Sequence, residues 1–265
     1  MSRIERYGPW AIVTGASSGI GRQTALELAR DGLHLVLVAR RQAELDALAD
    51  EIRGLGAESR VLAMDLTAPD AVLHLDEATR DLDVGLVAHA AGFGLGGPHE
   101  AHALDTHLTM LDLNGRCTLE LAHRFLPRLQ SRGRGGLLLY ASVIAYTGVP
   151  WAANYAATKA YVMSLGEGLQ VEWARHGLDV TIVAPGPTET GFFEVASMSA
   201  SAASSPQEVA RTTVARLGST GVVLPDWLGW AIRLSMRTAP RWLGVRIMAR
   251  IMGGMTQGSA EEVAA

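Results

Sequence analysis

Residues 11–21 read Ala11-Ile12-Val13-Thr14-Gly15-Ala16-Ser17-Ser18-Gly19-Ile20-Gly21. An apolar run ends at Thr14, small residues follow, and from Arg22 to Arg30 apolar residues return at helical spacing at Ala25, Leu26, Leu28 and Ala29. The order is strand, glycine turn, helix. Gly15, Gly19 and Gly21 let backbone approach a bound group where a Cβ would collide. The helix start behind them, with Ser17, Ser18 and Ile20 around it, offers free N–H groups to an anion. Phosphate is the natural guest. The spacing is Gly-x-x-x-Gly-x-Gly rather than Gly-x-Gly-x-x-Gly, and the same glycines would also serve close packing of helix on sheet.

The next apolar run, Leu33 to Ala39, completes a unit of about 30 residues, the context in which a glycine turn reads as a dinucleotide site. At the tip of this second strand an acidic residue would accept the ribose 2′-hydroxyl of NAD, whereas arginine suits the 2′-phosphate of NADP. The chain has Arg40 and Arg41 there, whose planar forks match phosphate, so NADP is the expected cofactor and NAD the alternative. The other reading is a pair of solvated arginines opening a surface helix.

Apolar or β-branched runs recur at residues 10–14, 33–39, 60–64, 84–89, 136–141, 179–184 and 221–224, with helical periodicity between them. This alternation predicts an α/β fold: a doubly wound parallel sheet of about seven strands with helices on both faces, the Rossmann arrangement. Residues 1–225 form one domain in this reading, and 226–265 a basic and apolar helical extension packed on it. Ligands of such sheets bind beyond the carboxyl ends of the strands, where Gly15, Gly92, Ser142 and Pro185 would emerge together.

With 265 residues, 48% hydrophobic and 19% charged, the chain can bury one large core. A net charge of −4 gives no basic field for nucleic acid. Cys117 is the only cysteine and the first residues lack the apolar stretch of a signal peptide, so a reducing, cytoplasmic setting is expected. No Cys/His cluster has metal-ligand spacing.

Tyr155-Ala-Ala-Thr-Lys159 places a phenol and an ammonium one helical turn apart. A tyrosine with a pKa of about 10 is a poor acid or base near neutrality, and a fixed positive charge beside it favours phenolate. Ser142 closes the run Leu137-Leu-Leu-Tyr-Ala-Ser, at the end of a buried strand, where its hydroxyl could hold a substrate oxygen. Alone, the Tyr-x-x-x-Lys spacing also describes an ordinary amphipathic helix.

With these motifs in place, the chain resembles the short-chain dehydrogenase/reductase family in its shorter single-domain form, over about residues 8 to 225. Thr14 to Gly21 is similar to the family's cofactor motif, and Ser142, Tyr155 and Lys159 to its catalytic set. Pro185-Gly186-Pro-Thr188-Glu-Thr190 is similar to its Pro-Gly loop near the nicotinamide. The resemblance implies that Asn114 completes a catalytic tetrad and holds a water for proton relay. It also implies that Lys159 bonds the nicotinamide ribose, that Asp65, followed by Leu66, contacts adenine, and that Ala91 and Gly92 leave room for the adenine ribose. One position departs: where the family has Asn-Asn-Ala-Gly, this chain has His89-Ala90-Ala91-Gly92, and a buried, hydrogen-bonded His89 is expected to replace one amide. A homodimer or homotetramer is implied, with its seam on the helices carrying Asn114 and Tyr155.

Gly191 to Gln207, with Phe192, Phe193 and Met198, reads as a lid over an apolar substrate or as lid-to-core packing. From Asp226 to Gly254, Trp227, Trp230 and Trp242 alternate with Arg233, Arg237, Arg241, Arg246 and Arg250, and Pro240 splits the segment in two. This reads as a packed helical pair over the cleft or a subunit interface, or as a peripheral membrane-surface face. The stretch Thr256 to Ala265 is expected to be disordered. The expected function is hydride transfer between a nicotinamide and the carbonyl or secondary alcohol of a small to medium apolar substrate, with Tyr155 as general acid/base. The alternative is a non-catalytic dinucleotide sensor or membrane-surface scaffold.

Overall fold

The computed structural model describes residues 1–189, 203–238 and 240–263, with side chains throughout except at 228, 236–238 and 254–263. The strands are β1 (Trp10–Thr14), β2 (His34–Ala39), β3 (Ser59–Ala63), β4 (Val84–His89), β5 (Gly135–Tyr140), β6 (Leu178–Val183) and β7 (Val222–Val223). They form one seven-stranded sheet in the order β3-β2-β1-β4-β5-β6-β7. All six pairings are parallel. The helices are α1 (Arg3–Tyr7), α2 (Gly19–Arg30), α3 (Gln42–Gly54), α4 (Ala71–Ala78), α5 (Leu104–Leu111), α6 (Cys117–Arg132), α7 (Ala153–Ala174), α8 (Pro206–Ala215), α9 (Trp227–Thr238) and α10 (Arg241–Val263).

Strand periodicity divides the core in two. On β1, Ile12 faces one side, among Phe125 and Leu121 of α6 and Val162 and Trp173 of α7. Ala11 and Val13 face the other, among Leu28 of α2, Leu45 and Ile52 of α3 and Val209 of α8. Both faces are covered, so β1 reads as a continuous apolar run rather than an alternating one. Tyr140 ties the layers: its hydroxyl lies 2.7 Å from Thr24 Oγ1 of α2. On the other side of the sheet, a Cβ on Gly166 would sit 2.6 Å from Ile182 Cγ1, so α7 rests directly on β6.

Sheet order reverses between β2-β1 and β1-β4, which opens a crevice at the carboxyl ends of these strands. The predicted strands match those observed to within a residue or two at their ends. Helix α2 begins at Gly19 rather than Arg22, so Gly19 and Gly21 belong to its first turn. Pro240 separates α9 from α10, as the sequence indicates. The stretch from Thr256, expected to be disordered, continues the α10 backbone through Val263, over a run containing the helix formers Gln, Ala and Glu.

Candidate active site

The glycine turn is shaped by its neighbours as well as by any guest. Gly15 has φ +67°, and a Cβ there would lie 2.7 Å from the Ala91 nitrogen. A Cβ on Gly21 would lie 2.4 Å from the Gly15 carbonyl oxygen. The packing role and the cradle role of these glycines therefore coincide. Ser18 caps α2 without a side-chain hydrogen bond, and the first N–H groups of the helix point into the crevice end, as helix geometry requires.

At the tip of β2, Arg40 and Arg41 are exposed. Arg41 Nη2 donates to Ser17 Oγ at 3.0 Å, which ties the tip of β2 to the glycine turn, and its Nη1 pairs with Glu44 at 3.5 Å. The Asp65 carboxylate accepts from the Thr67 N–H at 2.9 Å and its hydroxyl at 2.7 Å. Chiefly through the Thr67 N–H, and with help from the Arg40 charge, Asp65 sits below the usual carboxylate range. Leu66 beside it is buried. A Cβ-free cradle, a helix amino terminus and two exposed guanidiniums fit a dinucleotide with a 2′-phosphate.

Across the crevice, Ser142 follows β5 and caps a short turn, accepting the Ile144 N–H at 3.4 Å. Tyr155 stands in the first turn of α7. Burial raises its phenol above the usual range, and a Ser142 hydrogen bond opposes the rise. Lys159 Nζ lies 5.9 Å from the Tyr155 ring centroid and donates to the Tyr140 carbonyl at 2.7 Å. Burial pulls the Lys159 ammonium down to about 8. The sequence reading has Lys159 drawing the phenol down; here burial dominates, because the ammonium is directed at Tyr140. The result is a phenol kept protonated, beside a hydroxyl that can share a substrate oxygen.

Asn114 lies in a π turn, Asp112–Arg116, between α5 and α6, a rearrangement often found at functional sites. It is 1% exposed. Its Nδ2 donates to the Phe93 carbonyl at 2.9 Å and Thr158 Oγ1 at 3.0 Å, and its Oδ1 accepts the Phe93 N–H at 3.2 Å. A Cβ on Gly92 would sit 2.8 Å from Asn114 Oδ1, so Gly92 gives the amide its place. The Ala91 N–H is taken by Thr14 Oγ1 at 3.1 Å.

The Pro-Gly loop closes the crevice. The Pro185 carbonyl accepts the Val143 N–H at 3.1 Å, and Thr188 Oγ1 donates to the Gly186 carbonyl at 3.1 Å. Thr190 and, of the segment 191–207 read as a lid or as lid-to-core packing, residues 191–202 with Phe192, Phe193 and Met198 lie outside the described residues, while Ser205 caps α8 and Pro206 and Gln207 open it. Met248 and Met252 of α10 pack with Val149, Ala152 and Ala156, and against Tyr155 and Ile144. Helix α10 thus covers the start of the helix that carries Tyr155. Thr158 and Asp226 were missed in the sequence. Thr158 stands inside the Tyr-x-x-x-Lys stretch, and Asp226, three residues before Gly229, has the pattern of a helix cap.

A seven-stranded parallel sheet with a glycine turn at its switch point and a Ser-Tyr-Lys constellation across from it defines a nicotinamide-dependent oxidoreductase of alcohols and carbonyls. Residues 9–199 match the family profile described as short chain dehydrogenase. The chain is 38% identical over 191 residues to the 7beta-hydroxysteroid dehydrogenase of Clostridium sardiniense, covering 72% of this chain and 73% of that one. It is 31% identical over 234 residues to a very-long-chain 3-oxoacyl-CoA reductase-like protein of Arabidopsis thaliana, 85% of this chain and 75% of that one. A solved structure from work on 7beta-hydroxysteroid dehydrogenase stereoselectivity aligns with a TM-score of 0.85 at 25% identity, over 94% of this chain and 99% of that one. A short-chain dehydrogenase from Sphingobium yanoikuyae in complex with NADPH aligns with a TM-score of 0.78 at 28% identity, over 88% and 97%. The chain belongs to the short-chain dehydrogenase/reductase family and is an NAD(P)-dependent enzyme. Among the described residues no helix is long and apolar enough to cross a membrane.

Proposed function

We propose that the enzyme is an NADP-dependent reductase of an apolar ketone, run in reverse as a secondary-alcohol dehydrogenase, with Tyr155 as the proton donor. The observation that carries this reading is the Tyr155 phenol, kept protonated by burial and joined to Ser142, with Met248 and Met252 packed against it. The relatives named 7beta-hydroxysteroid dehydrogenase favour a polycyclic hydroxy or oxo substrate of steroid type.

When bound, the dinucleotide supplies the hydride that reaches the carbonyl carbon. Gly15 to Gly21 would hold its diphosphate and Arg40 and Arg41 its 2′-phosphate. Asp65, Leu66, Ala91 and Gly92 would flank the adenosine, while Lys159, Pro185, Gly186, Thr188 and Thr190 would lie on the nicotinamide side. Ser142 donates a hydrogen bond to the substrate oxygen as charge develops there. Tyr155 transfers its hydroxyl proton to that oxygen, giving the alcohol. Lys159 then offsets the phenolate, and reprotonation through the Asn114 region resets the site.

Titration with NADPH and NADH, followed by nicotinamide absorbance over 7-oxosteroids, cyclic ketones and 3-oxoacyl thioesters, tests this. Tight NADPH binding with oxidation by an oxosteroid supports the reading. Binding without turnover across the panel supports the sensor alternative, and binding of neither cofactor overturns the site.

Two surfaces extend the proposal. Leu104, Leu108 and Leu111 of α5, Leu119 of α6 and Tyr161 of α7 are exposed on the helices flanking the site, a seam for a homodimer or homotetramer. Sedimentation of a Leu108→Glu variant as a smaller species would support it. On α9 and α10, Trp227, Trp230 and Trp242 are 79%, 60% and 60% exposed, with Arg233 over Trp230 and Arg246 over Trp242. Indoles beside guanidiniums suit an anionic lipid surface. Co-sedimentation with phosphatidylserine vesicles, lost on replacing the three tryptophans by serine, is the test.

A further inference from the structure

His89 ends β4 at the point where the chain departs from its family's pattern. The side chain is 4% exposed. Its Nε2 lies 3.3 Å from the Leu113 carbonyl oxygen and its Nδ1 2.8 Å from Thr14 Oγ1. A carbonyl only accepts, so Nε2 carries the hydrogen; Nδ1 is then an acceptor, and the Thr14 hydroxyl donates to it. Thr14 Oγ1 in turn accepts the Ala91 N–H. One directed chain follows: Ala91 N–H to Thr14, Thr14 O–H to His89, His89 Nε2–H to Leu113. It starts on the dinucleotide side of the crevice and ends on the residue before Asn114, inside the π turn.

An asparagine could not span this gap. Its amide reaches about as far as Nδ1 of histidine, whereas a glutamine amide reaches about as far as Nε2. We propose that His89 is a positioning residue: through its Nε2–H on the Leu113 carbonyl it fixes the π turn, and with it the Asn114 carboxamide that bridges Phe93 and Thr158. This rests on Asn114 belonging to the catalytic machinery. Burial, and secondarily the charge of Lys159, hold His89 at about 4, so the imidazole stays neutral and the chain keeps its direction at working pH.

The test uses the two partial replacements. His89→Asn keeps an acceptor for Thr14 and loses the donor to Leu113; His89→Gln does the reverse. Positioning through Leu113 predicts that kcat falls about 10-fold or more in His89→Asn, with NADPH Kd unchanged, and stays within a few-fold of the parent in His89→Gln. A role confined to pinning β1 to β4 predicts the opposite order, and that order would overturn the proposal. Nitrogen-15 NMR of the unmodified enzyme gives a second reading that needs no turnover, and only one of the two variants has to fold for the assignment. The His89 signal, assigned by its loss in either variant, must show a neutral ring protonated at Nε2, and protonation at Nδ1 sinks the idea. If no ketone is turned over, the functional reading fails while this geometry is still decided.

Discussion

Asp226 and Gly186 are joined across the mouth of the crevice. Asp226 Oδ2 accepts the Gly186 N–H at 3.0 Å, and Oδ1 of the same carboxylate accepts the Gly229 N–H at 2.6 Å, capping α9. One side chain thus ties the Pro-Gly loop to the carboxyl-terminal helices. Asp226→Ala removes a cap, at about 1 kcal/mol, and leaves the Gly186 N–H without its partner, at about another 1–3 kcal/mol. The expected result is a lower urea midpoint together with a reduced kcat. Asp226→Asn, which keeps an acceptor, should recover part of both.

Tyr155→Phe deletes the hydroxyl proton that the proposed mechanism donates, and little else. The expected loss is about 10²- to 10⁴-fold in kcat, with NADPH affinity in fluorescence titration close to that of the parent. Full turnover in saturating ketone would remove Tyr155 from its role.

The exposed pair at the β2 tip should decide between the two dinucleotides. A charge-assisted hydrogen bond contributes about 1.5–3 kcal/mol, so Arg40→Ala and Arg41→Ala should each weaken NADPH by about 10- to 100-fold and leave NADH almost untouched.

Lys159 should set the alkaline limb of the reductive pH profile. Its ammonium is depressed to about 8, while burial keeps the Tyr155 phenol protonated well beyond that point. Activity should therefore fall as pH rises through about 8, and in Lys159→Arg, which stays charged, that limb should disappear even if the rate is lower.

His89 links stability to acid. Its folded value of about 4 lies below the ordinary 6.5, so between these the unfolded chain binds a proton that the folded chain refuses. Stability rises with pH across that window and is lost as pH falls through it, by on the order of 3 kcal/mol from this group. Urea unfolding at pH 7 and pH 4.5 should show a smaller drop for His89→Gln than for the parent enzyme.

The sheet was legible because burial on both faces writes each strand as an apolar run, and the glycine turn because a Cβ is impossible where Gly15 meets Ala91 and Gly21 meets the Gly15 carbonyl. Spacing also brought out Tyr155, Lys159 and Ser142. What spacing could not carry was direction. Lys159 points its ammonium at a main-chain carbonyl, Asn114 spends its amide on Phe93 and Thr158, and Asp226 clasps a loop forty residues away. Such partners meet through the fold and leave no periodic trace. The exchange of Asn for His89 signalled a changed contact, yet its destination, Leu113, depends on the π turn, which no local pattern announces.

The bare Cα of Gly166 works as a ruler. Because no side chain stands between α7 and Ile182 there, the helix lies close on β6, and the same rod carries Lys159 about two turns and Tyr155 about three turns away. How closely the helix that bears Tyr155 lies on the sheet thus depends on a carbon atom missing about three turns from the phenol. A methyl group added at that point would press on the side chains of Ile182 and Leu139, so whatever shift it forced on the rod would begin in the core and not in the crevice.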